Sequence, residues 1–320
     1  MRIALCFAIL FSLLIGPPAF AGTWPDRPVH LIVPYPPGGN VDLTARIVAD
    51  RMQEHYGQPF VVENRPGAGG MIAGAYVAKA DNDGYTLFVA PNGPVLFSPL
   101  IFGRDTYNWR EDFAPIGSIT FTSLVLQVNS KLGVNNVDEL FALAKQDPDA
   151  LNMASPGVGT QNHMVSELLQ RSVGAEWSTI QYSGNAPATT DLLGGHVDFN
   201  FDQLTVAKQY LESEQLQRLA VTSANRLPAL PDVPTLVELG YEDAVAETFT
   251  GLFAPAGTPQ DILNDLSSSL TEMLGNDDVI ARFDTMGAEA RAMRRDDFNA
   301  YLASNYEKWS RVIEEANIKQ

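Results

Sequence analysis

Val33-Pro34-Tyr35-Pro36-Pro37-Gly38-Gly39-Asn40-Val41-Asp42 is the stretch on which the reading of the fold depends. Before it, Val29, Leu31 and Val33 alternate as in a strand, and after it Val41, Ala45, Val48, Ala49 and Met52 recur at helical spacing. A Pro/Gly turn that delivers a strand into a helix N-terminus leaves backbone N–H groups unpaired and pointing one way, which makes an anion receptor. A single turn of this kind is equally an ordinary βα loop. Here the pattern recurs at Ser155-Pro156-Gly157-Val158-Gly159-Thr160-Gln161-Asn162-His163 and at Tyr182-Ser183-Gly184-Asn185-Ala186-Pro187-Ala188. Each turn sets Gly where backbone must approach something closely, and Ser, Thr or Asn where a side-chain oxygen can cap a helix or meet a ligand. None of the three contains Lys or Arg. An anion bound there would be held by amide dipoles, hydroxyls and water rather than by a guanidinium clamp.

Working outward from the first turn, strand-like segments at 28–33, 59–63 and 85–89 alternate with helix-like segments at 41–56 and 71–79. That βαβαβ order implies a parallel sheet with ligands at the carboxyl ends of its strands, where the Pro37-Gly38-Gly39 turn would lie. The apolar run 116–128 is long for one strand, breaks near Thr120–Ser123, and is expected to cross between domains. A second α/β run follows, with helices at 137–146, 160–173 and 186–193 and strands at 151–154, 179–181 and 197–201. A helix through Tyr210-Leu211 and a strand at 218–221 complete it. Pro228, Pro231 and Pro234 punctuate the next segment, then a strand at 249–254 leads into a helical stretch from Gln260 onward. Two βα units, the second built between the pieces of the first, predict a bilobal α/β protein with a cleft lined by turns from both lobes. The expected division is 1–21 as a leader, 22–121 with 225–320 as a discontinuous first domain, and 122–224 as the second.

The leader reads as a secretory signal peptide: Arg2, an apolar stretch to Ile15, then Ala19-Phe20-Ala21. Gly16-Pro17-Pro18 interrupts it well short of the roughly twenty apolar residues a bilayer requires, so cleavage is expected after Ala21, into the periplasm. The single cysteine, Cys6, lies inside the leader, leaving a mature chain with neither thiol nor disulfide. The net charge is −17, and loss of Arg2, the one charged residue of the leader, takes it to about −18. Such acidity argues against nucleic-acid or anionic-membrane partners. It is compatible with an anionic ligand, because screening limits the outer field to roughly 8 Å while a helix terminus acts at contact range.

Taken together, Trp24-Pro25-Asp26-Arg27-Pro28, the Val33–Gly39 turn, Glu63-Asn64-Arg65-Pro66-Gly67-Ala68-Gly69-Gly70, Asp83-Gly84-Tyr85-Thr86-Leu87, and Gly157-Val158-Gly159-Thr160 with His163 form an ordered series. It continues through Asp191-Leu192-Leu193-Gly194-Gly195, Leu230-Pro231-Asp232-Val233-Pro234-Thr235 and Phe253-Ala254-Pro255-Ala256-Gly257-Thr258-Pro259. In this order and spacing the chain resembles, from Trp24 to the C-terminal helices, the solute-binding proteins of tripartite tricarboxylate transporters, the Bug family. The resemblance implies a type II periplasmic-binding-protein fold with a discontinuous first domain, and capture of a small carboxylated solute for delivery to the large and small membrane subunits of a tripartite transporter. By the same resemblance, the first turn (Tyr35, Pro37, Gly38, Gly39, Asn40, Asp42) and the second (Ser155, Gly157, Gly159, Thr160) would grip a carboxylate through amides and bridging waters. Thr160, Tyr182, Gly184 and Ala186 would line the second-lobe wall. The chain departs from many members at Asn40-Val41, where they carry Ser or Thr: Asn offers an amide donor as well as an acceptor, and Val removes a hydroxyl.

Individual residues keep two readings at this point. Asp42 either faces the ligand or answers the helix dipole, and His163 either touches solute or bonds its own loop. Arg65 is either a carboxylate clamp or a local ion-pair partner. Asp202 either caps the next helix or selects the distal end of the ligand, and Phe249 is either an apolar cleft wall or a core position. The four histidines are scattered without a metal-binding spacing, so no metal and no cofactor are expected. No G-x-S-x-G elbow frames Ser155, no phosphate-loop Lys follows the turns, and no paired acid and base stand near them. An enzyme is therefore disfavoured against a monomeric receptor that feeds a transporter, with a ligand-sensing partner of a membrane histidine kinase as the alternative. Around five charge-assisted bonds of roughly 1.5–3 kcal/mol would offset the ordering cost and leave about −8 kcal/mol, a micromolar Kd.

Overall fold

The computed structural model describes residues 24–103 and 106–318; the expected leader and its cleavage site lie outside them. The chain opens β1 Val29–Val33, α1 Asn40–Tyr56, β2 Phe60–Asn64, α2 Met71–Ala78 and β3 Thr86–Pro91. The expected βαβαβ unit is there: β1 pairs parallel with both β2 and β3, Val29 opposite Phe60 and His30 opposite Thr86. Strand residues alternate between two cores, Leu31 and Val33 packing under α1 while Ile32 and Phe88 face the opposite layer. Both faces of this sheet are covered, as parallel strands require.

Between β3 and the next strand lie a π-helical turn, Gly93–Phe97, and two short helices, α3 Ser98–Phe102 and α4 Trp109–Asp112, none of them foreseen. Then β4, Phe113–Asn129, runs for 17 residues. Its first part pairs antiparallel with β9 (Glu247–Pro255), with register shifts at Pro115/Gly117 and Ser118/Thr120. From Leu124 onward it changes partners, to β7 (Phe199–Gln203) and β8 (Leu216–Val221). The strand thus carries register shifts near the expected break and changes partners at Ser123/Leu124.

The second set of strands and helices comprises α5 Val137–Gln146, β5 Asn152–Ser155, α6 Gln161–Val173, β6 Ser178–Gln181, α7 Asn185–Gly194, β7, α8 Leu204–Ala207 and β8. The strands run β2-β1-β3-β9-β4-β7-β5-β6, with β8 also on β4. One element differs usefully from expectation. β7 begins at Phe199 and continues through Asp202 and Gln203, because these polar residues find buried partners and the strand need not stop where hydrophobicity stops. The helix expected through Tyr210 is short, closing at Ala207 into a 3-10 turn.

The return path is pinned at Thr222. Its backbone N–H donates to the Leu124 carbonyl at 2.9 Å, its Oγ1 accepts from the Leu124 N–H at 2.9 Å, and that hydroxyl donates to the Ala246 carbonyl at 2.7 Å. The segment after Gln260 is not one helical stretch. It divides into α9 Gln260–Leu274, α10 Asp277–Met286, a two-residue strand β10 Glu289–Ala290 on β4, and α11 Arg295–Glu315. Gly275 and Gly287 stand at the ends of the first two helices, where helix C-termini favour glycine.

Candidate functional site

Three helices begin at one place. α1 starts behind Gly39 and α7 behind Gly184, neither with a side-chain cap, while α6 starts behind Thr160. The first N–H groups of a helix have no intrahelical partner, and the macrodipole sets about half a positive charge there. Thr160 Oγ1 accepts from the His163 N–H at 3.3 Å and donates to the Gly157 carbonyl at 2.8 Å, so it shapes its own turn. Each helix opens with an amide side chain: Asn40, Gln161 and Asn185.

These residues line a small cavity of about 30 Å³. The first half of the molecule contributes Tyr35, Asn40, Val41 and the β3 exit Pro91-Asn92-Gly93; the second contributes Pro156, Thr160, Gln161, Asn162, Gly184 and Asn185. Gln203 from β7 and Thr248 from β9 close it. No lining residue carries a formal charge. The walls approach closely: a Cβ on Gly184 would sit 3.1 Å from Pro36 Cδ, and one on Gly93 only 2.6 Å from the Gly159 carbonyl. Hydrogen bonds cross the cavity region as well, from Thr205 Oγ1 to Asn40 Oδ1 at 2.9 Å and from Gln203 Nε2 to Thr248 Oγ1 at 3.0 Å.

The amides fall into two groups. Asn92 is spent on β9, donating to the Glu247 carbonyl and accepting from the Phe249 N–H. Asn162 and Gln203 bond each other, Gln203 Nε2 donating to Asn162 Oδ1 at 2.9 Å, and Asn162 Nδ2 also reaches the Phe201 carbonyl. Asn185 Nδ2 donates to Asp202 Oδ1 at 2.6 Å and to Gln203 Oε1 at 2.8 Å. By contrast Tyr35 Oη, Asn40 Nδ2 and both polar atoms of Gln161 are buried without a hydrogen-bond partner among the described residues. Burial pushes the Tyr35 hydroxyl upward in pKa, which keeps it a neutral donor.

The sequence-derived candidates separate accordingly. Tyr35, Asn40, Thr160 and Gly184 line the cavity. Gly39 stands at its rim, where an added Cβ would meet Asn185 Oδ1 at 3.3 Å, while Pro37, Gly38 and Ala186 face outward. Ser155, Gly157 and Gly159 build the second turn: Ser155 Oγ exchanges bonds with Gly157, and the Gly159 N–H donates to His163 Nδ1 at 3.3 Å. His163 thus bonds its own loop, and its Nε2 lies 3.5 Å from Glu167. Tyr182 turns away, donating to Asp191 at 2.7 Å. Phe249 is not on the cavity wall; it is fully buried against Phe298 and Tyr301. Arg65 pairs with Glu63 at 3.1 Å and stacks on Tyr76, so it is a local partner.

Asp42 also stays off the wall. Its carboxylate accepts from Gly38 N–H, Arg46 and Asn64 at 2.9–3.0 Å. Burial pushes its pKa up, and the bonds from Arg46, Gly38 and Asn64 outweigh that and hold it below the ordinary value. Asn64 also donates to the Tyr35 carbonyl at 2.9 Å, so this carboxylate and amide together fix the turn. Asp202 lies one layer behind the cavity and is bonded only by neutral donors: Asn185, Thr189 at 2.8 Å and the Gln203 N–H at 2.9 Å. Burial pushes its pKa up to about 7. The polar side chains that sequence reasoning missed as wall are Asn92, Gln161, Asn162, Asn185, Gln203 and Thr248, and Val41, Pro91, Gly93 and Pro156 complete the lining. The usable signal was position, since Asn92 and Gln203 end strands and Gln161 and Asn185 begin helices.

Residues 44–318 match the tripartite tricarboxylate transporter family receptor, TctC. The chain is 35% identical over 306 residues to protein BugT of Bordetella pertussis, covering 95% of this chain and 94% of that one. Its fold matches R. palustris Rpa4515 with adipate at a TM-score of 0.89 and 34% identity, covering 92% of this chain and 99% of the other. It matches MatC from Rhodopseudomonas palustris with bound malate at 0.86 and 30%, covering 91% and 100%. These relatives carry the periplasmic-binding-protein fold that the resemblance implied, and their family consists of solute-binding receptors rather than enzymes. The chain belongs to the tripartite tricarboxylate transporter receptor family, the Bug proteins.

Proposed function

We propose that this receptor captures a small organic carboxylate in the cavity between its halves, in the periplasm, and delivers it to the membrane subunits of a tripartite transporter. One observation carries the reading: three helix N-termini converge on a cavity whose unpartnered polar atoms are mostly donors and whose lining has no formal charge. An anion satisfies such a wall, whereas a cation would meet the positive ends of three dipoles. Adipate and malate are the ligands named for the two structural relatives, which supports a carboxylate here. Among the described residues no helix is long and apolar enough to cross a membrane.

The residues proposed to contact the carboxylate are Tyr35, Asn40, Gln161, Thr160 and the N–H groups that open α1, α6 and α7. We further propose that 22–121 with 225–320, and 122–224, move as two bodies. The change of partners in β4 at Ser123/Leu124 and the Thr222 pin support a hinge beside those boundaries. A membrane partner could then distinguish closed, loaded receptor from open receptor. A thermal-shift screen of residues 22–320 against organic acids and their amides tests the reading, since a ligand of the folded state alone raises Tm. A rise with an acid but not its amide is expected. A rise with amides and none with acids would overturn it.

A further inference from the structure

We propose that Gln161 reads a hydroxyl on the cargo, so that among small carboxylates the site prefers a 2-hydroxy acid to its deoxy counterpart. This rests on the carboxylate reading above and narrows it. Gln161 is 2% exposed and lines the cavity, and neither its Nε2 nor its Oε1 has a partner among the described residues. Whichever way round the amide sits, the wall therefore presents one buried donor and one buried acceptor at this point. Buried polar groups are almost always satisfied, and one left unmet weakens whatever state buries it.

A carboxylate offers only acceptors. It can answer Tyr35 Oη, Asn40 Nδ2, the helix N–H groups and Gln161 Nε2, but not Gln161 Oε1. Of the other donors in the lining, Gln203 Nε2 is committed to Asn162 and Thr248, Asn185 Nδ2 to Asp202 and Gln203, and Thr160 Oγ1 to Gly157, while Tyr35 Oη and Asn40 Nδ2 are left to the carboxylate. The missing donor has to arrive with the cargo. A hydroxyl is the smallest group that both donates and accepts, which matches both ends of the Gln161 amide. An ammonium could answer Oε1, but it finds no carboxylate in the lining and meets the positive ends of the helix dipoles. Gln161 is the first residue of α6, the helix end that would face the carboxylate, which sets the hydroxyl on the carbon beside it.

The test is calorimetric titration of residues 22–320 with two matched series: malate, 2-methoxysuccinate and succinate, then lactate, 2-methoxypropionate and propionate. In whichever series binds, the hydroxy acid is expected to bind about tenfold tighter than both analogues. In Gln161→Met, checked for an unaltered circular dichroism spectrum, that ratio is expected to fall below about threefold. The wild-type series stands on its own should the variant misfold. Equal binding of hydroxy and deoxy acids would overturn the proposal. So would equal binding of hydroxy and methoxy acids, which would show Gln161 only donating, or a ratio that survives in Gln161→Met. If no acid of either series binds, the proposal falls, and the thermal-shift screen against the wider set of acids decides whether the carboxylate reading falls with it.

Discussion

Asp42, in the first turn of α1, and Asp202, next to last in β7, both lie outside the cavity lining and are 2% and 1% exposed. Burial acts on both carboxyls in the same direction, and their neighbours decide the outcome. Asp42 has the Arg46 guanidinium on both oxygens, with Gly38 and Asn64 beside it, and is held ionised. Asp202 has only amide, hydroxyl and backbone donors, and its pKa is pushed up to about 7. Neutral donors thus recover only part of the desolvation of a buried carboxylate. The cation sits where it fixes a turn and is kept away from the wall. A cavity lining without a fixed cation suits the proposed capture and release of an anion.

The largest expected effect concerns Asp202 and pH. Its carboxyl keeps a proton up to about 7 when folded, against an ordinary 3.8, so its contribution to stability is greatest below about pH 4 and declines as pH rises toward 7. The total change is on the order of 4 kcal/mol. Urea unfolding of wild type and Asp202→Asn across pH 4–8 should show the difference between them growing in favour of the variant, and a constant difference would break the comparison. Next, Asp42→Ala removes the acceptor of Gly38, Arg46 and Asn64 and is expected to cost about 2–3 kcal/mol at pH 7. That cost should shrink in acid, as the wild-type carboxylate is protonated.

Arg46→Gln sharpens the same contrast. Arg46 is half exposed, so the stability loss is expected to be only about 1 kcal/mol. The Asp42 pKa, followed by carbon-detected NMR, should nevertheless move up toward the behaviour of Asp202. The smallest effect is on binding: ionisation of Asp202 behind the wall should weaken carboxylate affinity about threefold between pH 6 and pH 8. Titration calorimetry should find that slope lost in Asp202→Asn.

Much of the frame could be read from the chain because its punctuation is local. Pro36-Pro37-Gly38-Gly39 marks a strand-to-helix turn wherever it occurs, and a strand as long as β4 must outrun one sheet. The site was less legible. Asn92, Asn162 and Gln203 look like Asn40 and Gln161 in sequence, and only the record of who bonds whom separates wall builders from free donors. Phe249 lies on a strand whose two faces are both covered, and Phe298 and Tyr301 of the distant α11 decide where its ring goes. Asp42 and Asp202 carry the same side chain, and the cation that separates them is one helical turn from the first.

Helix N-termini and neutral donors, with no side-chain cation, are proposed to hold a carboxylate. Calorimetric titration of residues 22–320 with malate and adipate, each beside its diamide, tests it most directly. A Kd on the order of micromolar is expected for an acid, with no measurable heat from the diamides. A diamide that binds as tightly as its acid would contradict it.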